Sequence, residues 1–274
     1  MPTAKVGDIN IYYEIHGKGE PLVLVYGYAG HSGLWFRQIS ALSKKYQVIA
    51  FDNRGVGRSE KPDAPYTMAM MAGDVAGLLD VIGVDTAHIF GISMGGMIAQ
   101  HFALSHPQRV ISLILGCTTC GGVHSILAKP EALAAFFDFE RMKKMTLEEV
   151  VRQLIPFLFS QEFIEKNPDI VEERVAKSLE YPTPMHGVTR QAGAIMGQNT
   201  YELLPEIKLP TLVIAGDNDR LIPVENSRLL ASRIPKAELV IIKGAGHEFF
   251  IEDAEEANKI VLGFLERHKK GQKL

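Results

Sequence analysis

The sequence predicts an α/β protein: a mostly parallel, doubly wound sheet carrying one helical insertion. Three observations carry that prediction. A continuous apolar run at 21–26 and largely apolar runs at 47–51, 110–115 and 211–215 form the pattern of strands buried on both faces. Helical patterns fill most of the gaps between them, as a parallel sheet covered on both sides requires. From 123 to 206, by contrast, helical patterns follow one another with no strand between them. A chain of 274 residues, 46% of them hydrophobic, can bury a large core. The expected division is a sheet core from residues 1–122 and 206–274, with a helical cap, or lid, from 123–205.

At the start, residues 4–17 alternate loosely through Val6, Ile9, Ile11, Tyr13 and Ile15 and read as an antiparallel hairpin. The run 21–26 ends in Gly27-Tyr28-Ala29-Gly30, a glycine loop able to bring backbone N–H groups close to a ligand. His31 beside it could touch substrate, though a solvated loop position suits it as well. A helix is expected over 34–46 and a strand over 47–51, with Trp35 and Phe36 in the core. The loop from Asp52 to Ser59 is too polar for a core and too glycine-rich for a helix. Its spacing fits neither a P-loop nor a dinucleotide fingerprint. Residues 66–82 have helical periodicity, with Met70, Met71, Val75, Leu78, Leu79 and Ile82 on one face.

The apolar stretch 88–90 then meets Gly91-Ile92-Ser93-Met94-Gly95, and a helical pattern starts at once. This is a strand–turn–helix carrying G-x-S-x-G, in which a sharp turn with positive φ lifts the serine hydroxyl clear of the backbone. Side chains two residues before and two after would collide across such a turn, which calls for glycine at both places. Met94 opens the helix, so its free N–H points towards any negative charge forming beside Ser93.

Within the insertion, Thr146 and Glu149 form a capping box, and Asn167-Pro168 places an N-cap before a proline at the first helical position. Pro130, Pro156, Pro182 and Pro184 are expected to break the segment up. Its phenylalanines, Phe136 and Phe157 among them, suggest an apolar pocket wall, although helix packing would use the same residues. Buried strands resume at 211–215, ending in Gly216-Asp217-Asn218-Asp219. A helix over 224–233, a strand over 238–242, the loop to His247 and a closing helix over 253–268 complete the chain.

The bulk numbers exclude some classes. Net charge is −3 with no long basic or acidic block, so neither nucleic acid nor an anionic membrane is an expected partner. Residues 269–273 read as a solvated tail. No apolar run reaches the length of a membrane span, and the N-terminal stretch has no signal-peptide h-region, which points to a cytoplasmic protein. Cys117 and Cys120 form C-x-x-C, but just after a strand and with no second pair for zinc. A reduced structural pair is expected, and no residue cluster has metal-ligand spacing.

In sheets of this kind ligands bind at the carboxyl ends of the strands. The glycine loop after Tyr26, Ser93, the turn holding Asp217 and Asp219, and His247 all follow predicted strands. A serine hydroxyl needs a base, histidine titrates in the right range, and a carboxylate fixes the imidazole tautomer. All three occur, in the order Ser, Asp, His.

With these residues in view, the chain resembles the α/β-hydrolase family over nearly its whole length outside the insertion. Gly91-Ile92-Ser93-Met94-Gly95 matches the nucleophile elbow, and the 52–59 loop matches D-x-R-G-x-G-x-S. Gly216, Asp219, Leu221 and Pro223 match the acid turn; Gly246, His247 and Glu252 match the G-H-x-x-x-x-E end. The resemblance selects Asp219 as the acid and leaves Asp217 as a turn residue. It implies an oxyanion hole from the backbone N–H groups of Tyr28 and Met94. Tyr26 stands where relatives usually carry histidine, a departure that leaves a backbone donor in place and gives Tyr26 a part in the pocket. Ser93 sets aside haloalkane dehalogenases and epoxide hydrolases, which carry aspartate at the elbow. The similarity leans towards enol-lactonases and esterases. It implies cofactor-free cleavage of a small-to-medium, fairly apolar carboxylic ester or lactone through an acyl-enzyme. Acyl transfer, carbon–carbon bond hydrolysis, cofactor-free perhydrolysis and a non-catalytic ligand-binding role remain alternatives, as do monomer and homodimer.

Overall fold

The computed structural model describes residues 2–271. Gln272 and Lys273 of the expected tail lie outside the described residues; Lys269 and Lys270 are exposed. Eight strands form one sheet: β1 (Thr3–Val6), β2 (Ile9–His16), β3 (Pro21–Val25), β4 (Gln47–Phe51), β5 (Ala87–Ile92), β6 (Val110–Gly116), β7 (Thr211–Gly216) and β8 (Ala237–Ile242). Their order is β1-β2-β4-β3-β5-β6-β7-β8. The β1–β2 and β2–β4 pairs are antiparallel, and all later pairs are parallel. The central strands read as unbroken apolar runs because each face meets a different core. Val23, Val25, Ile49 and Phe51 pack into one cluster, whereas Leu22, Leu24, Val48 and Ala50 pack into the other.

The helices of the sheet core are α1 (Phe36–Leu42), α2 (Met68–Val81) and α3 (Met94–Ser105), joined after the insertion by three more described below. Helix α1 is shorter than the expected 34–46. A 3₁₀ turn, Ser32–Trp35, precedes it, and beyond Leu42 the chain turns to bury Tyr46. In α2 the buried stripe is Met68, Met71, Ala72, Val75, Leu78 and Leu79, at helical spacing from Met68. Met70 falls off that stripe and is 40% exposed, so the sequence reading placed it on the wrong face.

Between β6 and β7 the insertion contributes α4 (Pro130–Phe137), α5 (Phe139–Met142), α6 (Leu147–Leu158), α7 (Gln161–Lys166), α8 (Pro168–Leu179) and α9 (Met185–Met196). The Thr146/Glu149 capping box starts α6 as expected. Pro156 does not break that helix; it sits in the last turn, just before α6 ends at Leu158. Asn167 stands at the N-cap position of α8 but does not cap with its side chain, which donates back to the Phe163 carbonyl at 3.2 Å. The segment's two ends meet: Gly121 bridges Asn199, and Thr200 N donates to Cys120 O at 2.9 Å. Helices α10 (Glu225–Arg233), α11 (Phe249–Glu252) and α12 (Ala254–Arg267) finish the core. Among the described residues no helix is long and apolar enough to cross a membrane.

Candidate active site

Ser93 occupies the junction of β5 and α3 with φ 52° and ψ −122°, a conformation costly for a residue with a Cβ. The backbone there is held on every side. Ser93 N donates to Gly116 O at 2.9 Å, and its carbonyl accepts from Gly96 N at 3.0 Å and Thr118 Oγ1 at 2.7 Å. A Cβ on Gly91 would drive into the Gly95 carbonyl, the collision across the turn that the sequence implied. Gly95 is required for another reason: its Cβ would strike the Val25 carbonyl on the neighbouring strand. Gly27 also abuts Ser93, since a Cβ there would lie 3.1 Å from Ser93 Cβ.

Asp219 and His247 follow β7 and β8. Asp219 Oδ1 accepts from the N–H groups of Leu221 and Ile222, both at 2.8 Å, which leaves Oδ2 to meet His247 Nδ1 at 2.7 Å. Both residues are buried. With Nδ1 engaged, Nε2 is the ring nitrogen available to the cavity, the arrangement that fixes a tautomer for proton abstraction. Asp217 instead accepts from Gly244 N at 2.6 Å and braces the turn. The histidine loop is tied to the insertion: Glu252 accepts from Gly246 N at 2.9 Å and Ser160 N at 3.1 Å, and Glu248 N donates to Leu158 O at 2.8 Å.

Ser93, His247, Tyr28 and Met94 all line one cavity of about 180 Å³. Its walls are otherwise mostly apolar, from Met97, Ile126 and Leu127 to Phe136, Leu154 and Phe250. Met94 is the first residue of α3, so its N–H has no partner within the helix. The Tyr28 loop is anchored from the insertion, for Ala29 N donates to Gln191 Oε1 of α9 at 2.9 Å. The sheet-core half of the same loop is held by Asn53, whose side chain donates to Tyr26 O at 3.0 Å.

Of the four pocket candidates, two line the cavity and two do not. Tyr26 and Phe136 are on its wall. Phe157 turns away, its ring 5.1 Å from the Arg220 guanidinium, because its place on α6 faces the acid-turn side. His31 is buried rather than solvated and lies outside this cavity; it caps the 3₁₀ turn through Gly33 N and meets Lys177 O of α8 at 3.0 Å. Burial lowers its pKa, which suits a neutral bracing ring.

Two residues that the sequence reading missed stand in the wall beside His247. Arg174 of α8 forks onto Glu248, with Nε–Oε2 at 2.7 Å and Nη2–Oε1 at 2.6 Å, and also meets Ser178 Oγ. Tyr26 Oη donates to Glu248 Oε1 at 3.0 Å. Burial opposes the charge on Arg174, yet Glu248 more than offsets it and holds the guanidinium's pKa above its ordinary value. Burial, then the Glu248 charge, pushes the Tyr26 phenol well up. Glu248 adjoins His247 in sequence, but Arg174 lies far along the chain in an amphipathic helix, and no local pattern marks it as a partner.

Other polar and sulfur-bearing side chains near the site have structural partners or lie buried. Asp52 braces Ser32 and Arg58, and Arg54 pairs with Asp74 at 2.5 and 2.6 Å. Cys117 and Cys120 are free, buried thiols, and burial raises the pKa of each. His101 meets Gln198 at 2.8 Å as a structural residue. Among the described residues no group of three or more His, Cys, Asp or Glu side chains is arranged to hold a metal ion.

Comparison with known proteins fits this geometry. Residues 20–254 match the family described as alpha/beta hydrolase fold. A RutD protein of Azorhizobium caulinodans, named provisionally as a carbamate hydrolase, is 34% identical over 268 residues, covering 96% of this chain and 98% of the relative. A poly(3-hydroxyalkanoate) depolymerase of Ectopseudomonas oleovorans is 35% identical over 249 residues, 91% of this chain and 85% of the relative. Among solved structures, the enol-lactonase from Burkholderia xenovorans LB400 superposes with a TM-score of 0.87 at 28% identity, covering 97% of this chain and 100% of that one.

Proposed function

This chain belongs to the α/β-hydrolase fold family and is akin to its hydrolases, and we propose that it cleaves carboxylic esters or lactones through an acyl-enzyme on Ser93. The observation that carries this reading is the Asp219–His247 pair, at 2.7 Å, whose histidine lines the same apolar cavity as the strained Ser93. His247 Nε2 takes the Ser93 proton as Oγ attacks the substrate carbonyl carbon. Asp219 holds the imidazole in place and stabilises the imidazolium. The N–H groups of Tyr28 and Met94 receive the developing oxyanion, a contribution typically worth about 10²–10³ in turnover per donor. The tetrahedral adduct then collapses, and His247 returns the proton to the leaving alkoxide. Water, activated by the same histidine, attacks the acyl-enzyme and frees Ser93.

The cavity's chemistry supports a fairly apolar substrate of small-to-medium size. Two of the relatives, named as a poly(3-hydroxyalkanoate) depolymerase and an enol-lactonase, support this reading, beside one named as a carbamate hydrolase. Turnover of p-nitrophenyl butyrate and a panel of simple lactones, beside Ser93→Ala, tests the reading. Wild-type turnover with a loss of at least about 10³ in the variant is expected. Equal rates for the two proteins would remove Ser93 as nucleophile.

A further inference from the structure

Behind the catalytic cavity lies a second void of about 110 Å³. The two share one partition, formed by Tyr28, Phe136, Leu154, Leu158 and Arg174. Helix α6 runs along both: Leu147, Val150, Val151, Leu154 and Leu158 recur at helical spacing, the first three facing the second void and the last two facing both. Val150, Val151 and Leu154 are only part-buried, and of these Val151 and Leu154 also touch the neighbouring core cluster. Leu34, Met142 and Val188 close the far side; the lining is mostly apolar, with His31, Arg174, Ser178 and Thr183 as its polar members.

The partition is not equally firm along its length. Arg174 is pinned by Glu248, and Leu158 is packed in the core. Tyr28, unlike Tyr26, has a hydroxyl that is out of water and without a hydrogen-bond partner, so no bond fixes its ring. Leu154 beside it is only part-buried and packs against the edge of the core cluster without being enclosed by it. An apolar void of about 150 Å³ takes benzene and stays dry. A space of 180 Å³ therefore suits an ester group with a short chain, and 110 Å³ suits a few further carbons.

We propose that the second compartment seats the far end of an unbranched alkyl chain on the substrate, reached past Tyr28 and Leu154. The preferred substrates are then esters or lactones with a medium-length alkyl chain. This rests on the reading of Ser93 as nucleophile of an ester or lactone hydrolase.

The test compares kcat/KM for p-nitrophenyl acetate, butyrate, octanoate and decanoate in the wild type, Val151→Trp and Val188→Ala. Each buried methylene is worth about a fourfold factor. Filling the compartment with Val151→Trp should lower the decanoate-to-acetate ratio by at least about tenfold, through KM. Enlarging it with Val188→Ala should raise that ratio. A ratio that moves less than twofold in both variants, or moves the same way in both, overturns the proposal. Val188→Ala keeps the test open should Val151→Trp fail to fold. A second readout separates this inference from the hydrolase reading. 1-Octanol should raise the melting temperature of Ser93→Ala but not of Ser93→Ala/Val151→Trp. Equal shifts would sink the compartment even with Ser93 intact as nucleophile; unequal shifts would support it even if Ser93→Ala retained activity.

Discussion

Arg174, on a helix of the insertion, and Glu248, the neighbour of His247, form a two-pronged ion pair with both partners nearly sealed from solvent. Removing one partner of such a pair leaves a buried charge unpaired, typically at a cost of about 3–5 kcal/mol. Arg174→Met should therefore lower stability by that order in urea denaturation. Arg174→Met/Glu248→Gln should recover much of the loss, since the stranded carboxylate is gone. A double variant no more stable than Arg174→Met would contradict this account.

The two aspartates of the acid turn make a sharper pair. Asp219→Asn keeps the shape but disturbs the tautomer of His247, a change that can cost about 10⁴ in turnover. Asp217→Asn removes only an acceptor for Gly244 N and should leave turnover near the wild-type level. Steady-state kinetics on p-nitrophenyl butyrate distinguishes them, and the reverse ranking would reassign the acid.

Glycine substitutions should split by position. Gly95→Ala places a methyl against the Val25 carbonyl and should abolish folding or cost well over about 3 kcal/mol. Gly73→Ala and Gly193→Ala, mid-helix with no atom within 4 Å of the new carbon, should stabilise by about 0.5–1 kcal/mol each. Thermal melts of the three variants report the signs directly.

Burial lowers the pKa of His31, His88 and His101 from their ordinary 6.5. Below that value the unfolded chain takes up protons that the folded one does not, so proton binding favours unfolding. The stability these rings contribute is full above about pH 6.5 and declines as pH falls towards their folded values. The urea midpoint should accordingly drop between pH 7.5 and 5.5, and His101→Gln should make the drop shallower. A midpoint that rises on acidification would refute the sign.

The sheet was legible because its strands carry their evidence locally. Runs such as 47–51 and 211–215 have no other use for four consecutive apolar residues between turn signals. Met70 was misread because a two-residue offset on a Met-rich helix decides which methionine faces inward, and periodicity alone does not fix that phase. Ser93, Asp219 and His247 were visible through motifs attached to strand ends. Phe157 and His31 were not resolvable that way, since whether a cap side chain faces the cavity depends on how α6 and α8 pack. Arg174 was beyond reach for the same reason: its partner comes from another element, with nothing in the local sequence to announce it.

The β-bridge between Gly121 and Asn199 means that the chain leaves the sheet and re-enters it through a single doorway. Whatever is threaded between those two residues can change in length and shape while the register of β6 against β7 stays the same. The scaffold therefore leaves the 123–205 segment free to be exchanged for another while Ser93, Asp219 and His247, all carried by the strand ends, stay where they are.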